Sequence, residues 1–182
     1  MAVGYAKAFD SSKISIGPAY VYYDGVHLGH TYGGVSVSIT QNVFELKSDQ
    51  YGETPVGMQD AGVAIEAMVN LTEATFSNLQ VLFASATLVA EDAGPPLITE
   101  HLEFGKPIGG VIAAACLILE PIDGTEILTI YKAAPNIGST IELPYNNESQ
   151  RIFATKFVGL IDDTRTAGDQ LFRIGGYDAT IE

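Results

Sequence analysis

The residues best placed for chemistry fall within 22–35, YYDGVHLGHTYGGV, where His27 and His30 stand three apart near Asp24 and four glycines occur among fourteen residues. Neutral imidazoles and a carboxylate are competent metal donors. The spacing works against that use, because residues three apart on a strand face opposite sides. Only a turn could bring the two rings together. With His101 the sole other histidine and no cysteine nearby, exposed turn residues are the expectation. The glycines do not make a phosphate cradle either. Neither G-x-G-x-x-G nor G-x-x-x-x-G-K-[ST] occurs, and the next segment reads as a strand rather than a helix. Asp24-Gly25 reads instead as a hairpin dipeptide, and Gly33-Gly34 as positive-φ or bulge residues at the entry to the next strand.

Other constellations are weaker. No G-x-S-x-G elbow is present. The acid pairs Asp162-Asp163 and Glu91-Asp92 sit in apparent loops, where solvated carboxylates are expected rather than a glycosidase pair. Cys116 lies in VIAAACLIL without a basic neighbour to activate it, so an inert buried thiol is expected. The sequons at Asn70 and Asn147 carry weight only in a secreted chain. No catalytic residue, cofactor or metal is therefore expected, which favours a structural role.

The elements that position these residues read as strands. Short β-branched or aromatic runs are bounded by Gly, Pro, Asn and Asp at 14–23, 34–41, 43–47, 61–71, 111–120, 126–133, 140–143, 151–161 and 171–174. One segment, LTEATFSNLQVLFASA, spaces Phe76, Leu79, Leu82 and Phe83 for a helix over about 73–84, with Thr72 as N-cap and Glu73 in the first turn. The predicted fold is mainly β, an antiparallel β-sandwich or barrel with this one helix packed on the side. Two long irregular stretches remain. Residues 48–60 read as the tip of a long hairpin, and 90–110 as a Pro/Gly-rich insertion holding one short strand near 102–104.

Composition bounds the rest. A chain of 182 residues, 47% hydrophobic and 17% charged, suits one domain with a real core. Its longest uncharged apolar run, 108–119, is shorter than the roughly 20 residues of a membrane span. A signal-peptide pattern is not evident, and the single cysteine excludes a disulfide framework, so assembly in a reducing cytoplasm is expected. With 22 acids against 9 scattered bases, a formal charge of −13, the chain lacks the footprint of a nucleic-acid binder.

A larger pattern spans 19–82. The stretches AYVYYDGVHLGHTYGGVSVSI and ELKSDQYGETPVGMQDAGVAIEAMVNLTEATFSNLQVLF hold four features in order. They are a strand ending in Asp24-Gly25, then Leu28-Gly29-x-Thr31 with Gly33-Gly34-Val35, the loop Asp49-Gln50-Tyr51-Gly52-x-Thr54-Pro55-Val56, and a strand and helix with Leu71, Glu73 and Leu79. In this order they resemble the phage tail tube family, the major tail proteins of long-tailed phages. The resemblance implies a subunit with no catalysis that forms homohexameric rings, their inner sheets joined into one β-barrel and the rings stacked axially. The implied partners are the tape measure protein inside the tube, terminator and baseplate or tail-tip proteins at its ends, and double-stranded DNA that passes without tight binding. The implied location is the virion tail, assembled in the host cytoplasm. Asp49, Gln50, Tyr51, Gly52, Thr54 and Pro55 are the residues expected to reach the neighbouring ring. Of the strand that precedes them, the face of Ser36, Ser38 and Thr40 is expected to look into the channel, with Val35, Val37 and Ile39 on the other. Scarce cations would let DNA slide. A tail terminator or other ring-forming completion protein is the alternative, and a carbohydrate-binding β-sandwich the alternative from another class, disfavoured because the chain has no Trp.

Overall fold

The computed structural model describes residues 18–73, 75–83, 86–90, 100–105, 112–124, 126–136 and 152–176. They form ten strands and one short helix: β1 Ala19–Tyr23, β2 Val26–His27, β3 Thr31–Lys47, β4 Pro55–Leu71, α1 Phe76–Leu82, β5 Ala86–Ala90, β6 Glu100–Phe104, β7 Ala115–Pro121, β8 Ile127–Asn136, β9 Phe153–Gly159 and β10 Phe172–Gly175. All pairings are antiparallel. The main sheet runs β2-β1-β7-β8-β9-β4-β3, with β10 beside β8, and β5 pairs with β6 in a second, two-stranded sheet.

Residues directly opposite on paired strands share a face, so the register defines the core. Val21 opposes Leu119 and Tyr23 opposes Leu117, which opposes Ile130. Across the sheet Phe153 opposes Leu71, Thr155 opposes Val69 and Phe157 opposes Ala67. The sheet folds over on itself, since the rings of Tyr23 on β1 and Phe157 on β9 lie 5.2 Å apart although two strands separate them in the order. A register shift in β8 sets Tyr131 and Lys132, between Ile130 and Ala133, against the single residue Cys116 of β7, and the bend falls there. The Tyr23 hydroxyl donates to the Ala133 carbonyl at 3.1 Å, and burial pushes its pKa up. Gly159 lies between Ile65 and Ile130 so closely that a Cβ would collide with the Ile65 side chain.

Thr155 faces this core with its hydroxyl fully buried and unpartnered among the described residues. A buried hydroxyl without a hydrogen bond costs free energy that a methyl does not. Thr155→Val is therefore expected to stabilise the subunit by about 1 kcal/mol and to raise the melting temperature by about 2–4 °C. A lower melting temperature would show that the hydroxyl is satisfied by a buried water.

Several sequence expectations need correction. Residues 55–60 are strand rather than loop, for the arrangement Val56-Gly57-Met58-Gln59 alternates and pairs with β3, and only 48–54 turn the chain. The run 43–47 continues 34–41, as the sequence predicts, and both belong to β3. The helix is shorter than 73–84, and Thr75 caps it by accepting from the Asn78 amide at 3.2 Å. Thr72 is held elsewhere: its amide and hydroxyl both donate to the His30 carbonyl, at 2.9 and 3.0 Å. The strand near 102–104 begins at Glu100, and its partner β5 was not foreseen. The run expected at 111–120 becomes strand only at Ala115. Cys116 is half-buried rather than in the core, because Leu117 and Leu119 take the inward positions of β7. The strand expected at 140–143, and residues 14–17 of the first, lie outside the described residues.

Candidate assembly surface

The turn between β1 and β3 forms as its residue types dictate. Asp24 and Gly25 both adopt positive φ, 52° and 73°, and close the pair Tyr23–Val26. Gly33 and Gly34, at φ 77° and 84°, occupy the register shift that admits two extra residues on β3 opposite β4. His27 accepts a 3.3 Å hydrogen bond from the Gly29 amide through Nδ1, and its ring lies 5.7 Å from Tyr20 and 5.2 Å from Tyr22. His30 donates its amide to the Glu73 carboxylate at 3.3 Å. The loop is tied to α1 as well, for the buried Asn78 side chain donates to the Leu28 carbonyl at 2.9 Å and Leu28 is fully buried. Asp24, His27 and His30 thus serve a strand connection, and no metal-holding cluster occurs among the described residues.

This connection launches a long hairpin. β3 and β4 each run seventeen residues, or about 55 Å of extended chain. β9 supports β4 only from Glu66 to Leu71. The far half, from Ser36 out and back to Ala64, contains no buried residue. A lone two-stranded hairpin is marginal in water, and nothing among the described residues covers this arm.

Its surface shows the same thing. Beside the core, Ile65, Ala67 and Val69 are fully buried, but along the same stripe Val37 is 37% exposed, Ile39 46% and Val63 40%. The stripe stays apolar after the subunit's own core ends. Beyond a second register shift near Gly62, Val43 and Phe44 point to opposite faces and both are exposed, as are Leu46, Val56 and Met58. These exposed apolar residues make the arm the candidate interaction surface. The edges are open too: β3 pairs only with β4, and residues 55–65 of β4 pair only with β3, leaving two rows of ladder groups without partners among the described residues.

The residues singled out from sequence fall in two places. Asp49, Gln50, Tyr51, Gly52 and Thr54 lie in the turn at the arm's end, with Pro55 opening β4 opposite Lys47, and all six are exposed. The turn is ordered by the Tyr51 amide on the Ser48 carbonyl at 2.9 Å, by Ser48 on Gln50, and by Lys47 on Glu53 at 2.7 Å. Ser36, Ser38 and Thr40 lie on the face away from the core stripe, exposed, opposite Met68, Glu66 and Ala64. Unforeseen were the exposed apolar residues of the arm. Their signal lay in the alternation of Val56 and Met58 with Gly57 and Gln59, which Pro55 and the glycines obscured.

A second ordered loop, 160–171, joins β9 to β10. The Tyr131 hydroxyl donates to Asp169 at 2.6 Å, Arg165 bonds the same carboxylate at 3.0 Å, and the Arg165 guanidinium stacks 3.6 Å from the Tyr131 ring. Those bonds, Tyr131 first and Arg165 second, hold the Asp169 carboxyl below its ordinary range. Asp162 is held low chiefly by the Thr164 hydroxyl, an Asx turn rather than a catalytic pair with Asp163. A depressed carboxyl pKa contributes stability that is present above the unfolded value and lost as pH falls through the folded one. The melting-temperature gap between the native chain and Asp169→Asn should therefore be constant above about pH 5 and close below the ordinary aspartate value of about 3.9. A gap that persists unchanged to lower pH would show that the carboxylate charge is not what anchors the loop.

Set against protein-family models and curated proteins, the chain matches none.

Proposed function

We propose that this chain is the structural subunit of a phage tail tube, in which hexameric rings stack into a hollow tube that delivers the genome. The observation that carries the reading is the arm formed by β3 and β4, with open edges on both sides and apolar side chains on both faces. Ring closure supplies what it lacks: β3 of one subunit adds to the open edge of β4 in the next, a head-to-tail contact that repeats until the ring closes. The resemblance across 19–82 supports the same reading, and the acidic composition suits a conduit that does not hold phosphate. The arm's end, from Asp49 to Pro55, is the candidate contact between rings. The tape measure protein would fill the lumen, with terminator and baseplate or tail-tip proteins at the ends. No catalytic step or cofactor belongs to this reading.

Analytical ultracentrifugation tests it. The purified chain is expected to sediment as large assemblies whose proportion rises with concentration. A chain that stays monomeric at every concentration and binds sugars would replace this reading with a carbohydrate-binding module.

A further inference from the structure

The face shared by Ser36, Ser38 and Thr40 is not an acidic surface. Register places Glu66 on it opposite Ser38, and Lys156 on it opposite Met68, with Val158 beside Glu66. Alternation along β8, where Ala133 and Pro135 face the core, brings Lys132 and Ala134 to the same side. The face therefore carries hydroxyls, small apolar groups and two lysines. Neither lysine stands alone. Lys156 Nζ lies 2.7 Å from Glu66 Oε1, a diagonal pair between adjacent strands, and Lys132 lies near enough to Asp162 to act on its charge.

This arrangement matters because exposed lysine is what phosphate binds. A lysine that displaces phosphate counterions strengthens DNA binding, and repeated around a ring such contacts compound. A lysine already paired with a carboxylate must give up that pair before it can neutralise a phosphate and release the counterions held there. We propose that Glu66 masks Lys156, so that the Ser36 face meets passing DNA without gripping it. The inference rests on the tail tube reading, which puts this face in the channel. Glu66 acts through Lys156, as a positioning residue. Its side chain is 45% exposed and that of Lys156 29%, so the pair adds little to stability and its loss leaves the fold alone.

The test uses the full chain as wild type, Glu66→Gln, and the double variant Glu66→Gln with Lys156→Gln. Tubes are scored by electron microscopy, then pelleted with a short fluorescent DNA duplex across a salt series. The single variant is expected to retain about tenfold more duplex than wild type at 50 mM salt and to release it by about 200 mM. The double variant should behave as wild type. Equal retention by wild type and Glu66→Gln tubes, or retention by the double variant equal to that of the single, overturns the mask while leaving the tube reading intact. Failure of all three chains to form tubes overturns both.

Discussion

Replacing residues 42–62 with an Asn-Gly turn is expected to leave a folded subunit that cannot assemble. The cut falls where Gln41 opposes Val63, so a two-residue type I′ turn closes the shortened hairpin in register. Nothing removed is buried, and the core residues Ile65, Ala67, Val69 and Leu71 keep their places. The melting temperature should move by no more than a few degrees, for surface changes away from packed features seldom exceed about 0.5 kcal/mol. Assembly should fail outright, because the variant loses most of the arm's apolar surface and open edge, including Val43, Phe44, Leu46, Val56 and Met58, and the whole of 48–54. A variant that still builds large assemblies would show that the subunit associates through some other surface. Milder deletion of 53–57 tests less cleanly, since Pro55 and Gly57 are paired strand residues and their removal shifts the register of β4.

The second large effect is on folding itself. Phe157 is fully buried, stacked near Tyr23, opposite Ala67 on one side and Pro135 on the other. It joins the strands on the two sides of the bend in β8. Phe157→Ala is expected to cost about 3–5 kcal/mol through lost burial and the cavity left behind. Domains of this kind are stable by only about 5–15 kcal/mol, so the variant should unfold at much lower denaturant and lose assembly as a consequence. The contrast between the two variants separates the subunit's halves: Phe157→Ala fails by unfolding, the shortened arm fails while folded. An unchanged denaturation midpoint for Phe157→Ala would mean that the folded-over sheet does not depend on this packing.

Strand identity was legible wherever alternation met a turn dipeptide. Asp24-Gly25 and Gly33-Gly34 specify their own backbone, through positive φ, and so predict the β1–β2 hairpin and the bulge into β3. The helix boundaries were less legible, because Thr72 and Thr75 are equally good caps in sequence. Only the tertiary bond from Thr72 to His30 decides between them. Residues 55–60 were hidden by Pro55 and Gly57, which punctuate loops as a rule but here sit on a strand whose other edge is open, where a missing donor costs nothing. The 160–171 loop depends on an aromatic ring and an arginine brought together from distant positions, a contact with no local signature. The candidate site was legible in part. Ser36, Ser38 and Thr40 could be put on one face by counting, whereas the pairing of Ser38 with Glu66, and the placing of Lys156 across Met68 on the same face, depend on a register that sequence spacing does not specify.

In the proposed tube, the β3–β4 arm completes itself against other copies of this chain. Negative-stain electron microscopy of the purified full-length protein tests this most directly. Hollow tubes of uniform diameter, built of stacked rings with sixfold end views, are the predicted result. Dispersed single subunits at concentrations where the arm should find partners would contradict it.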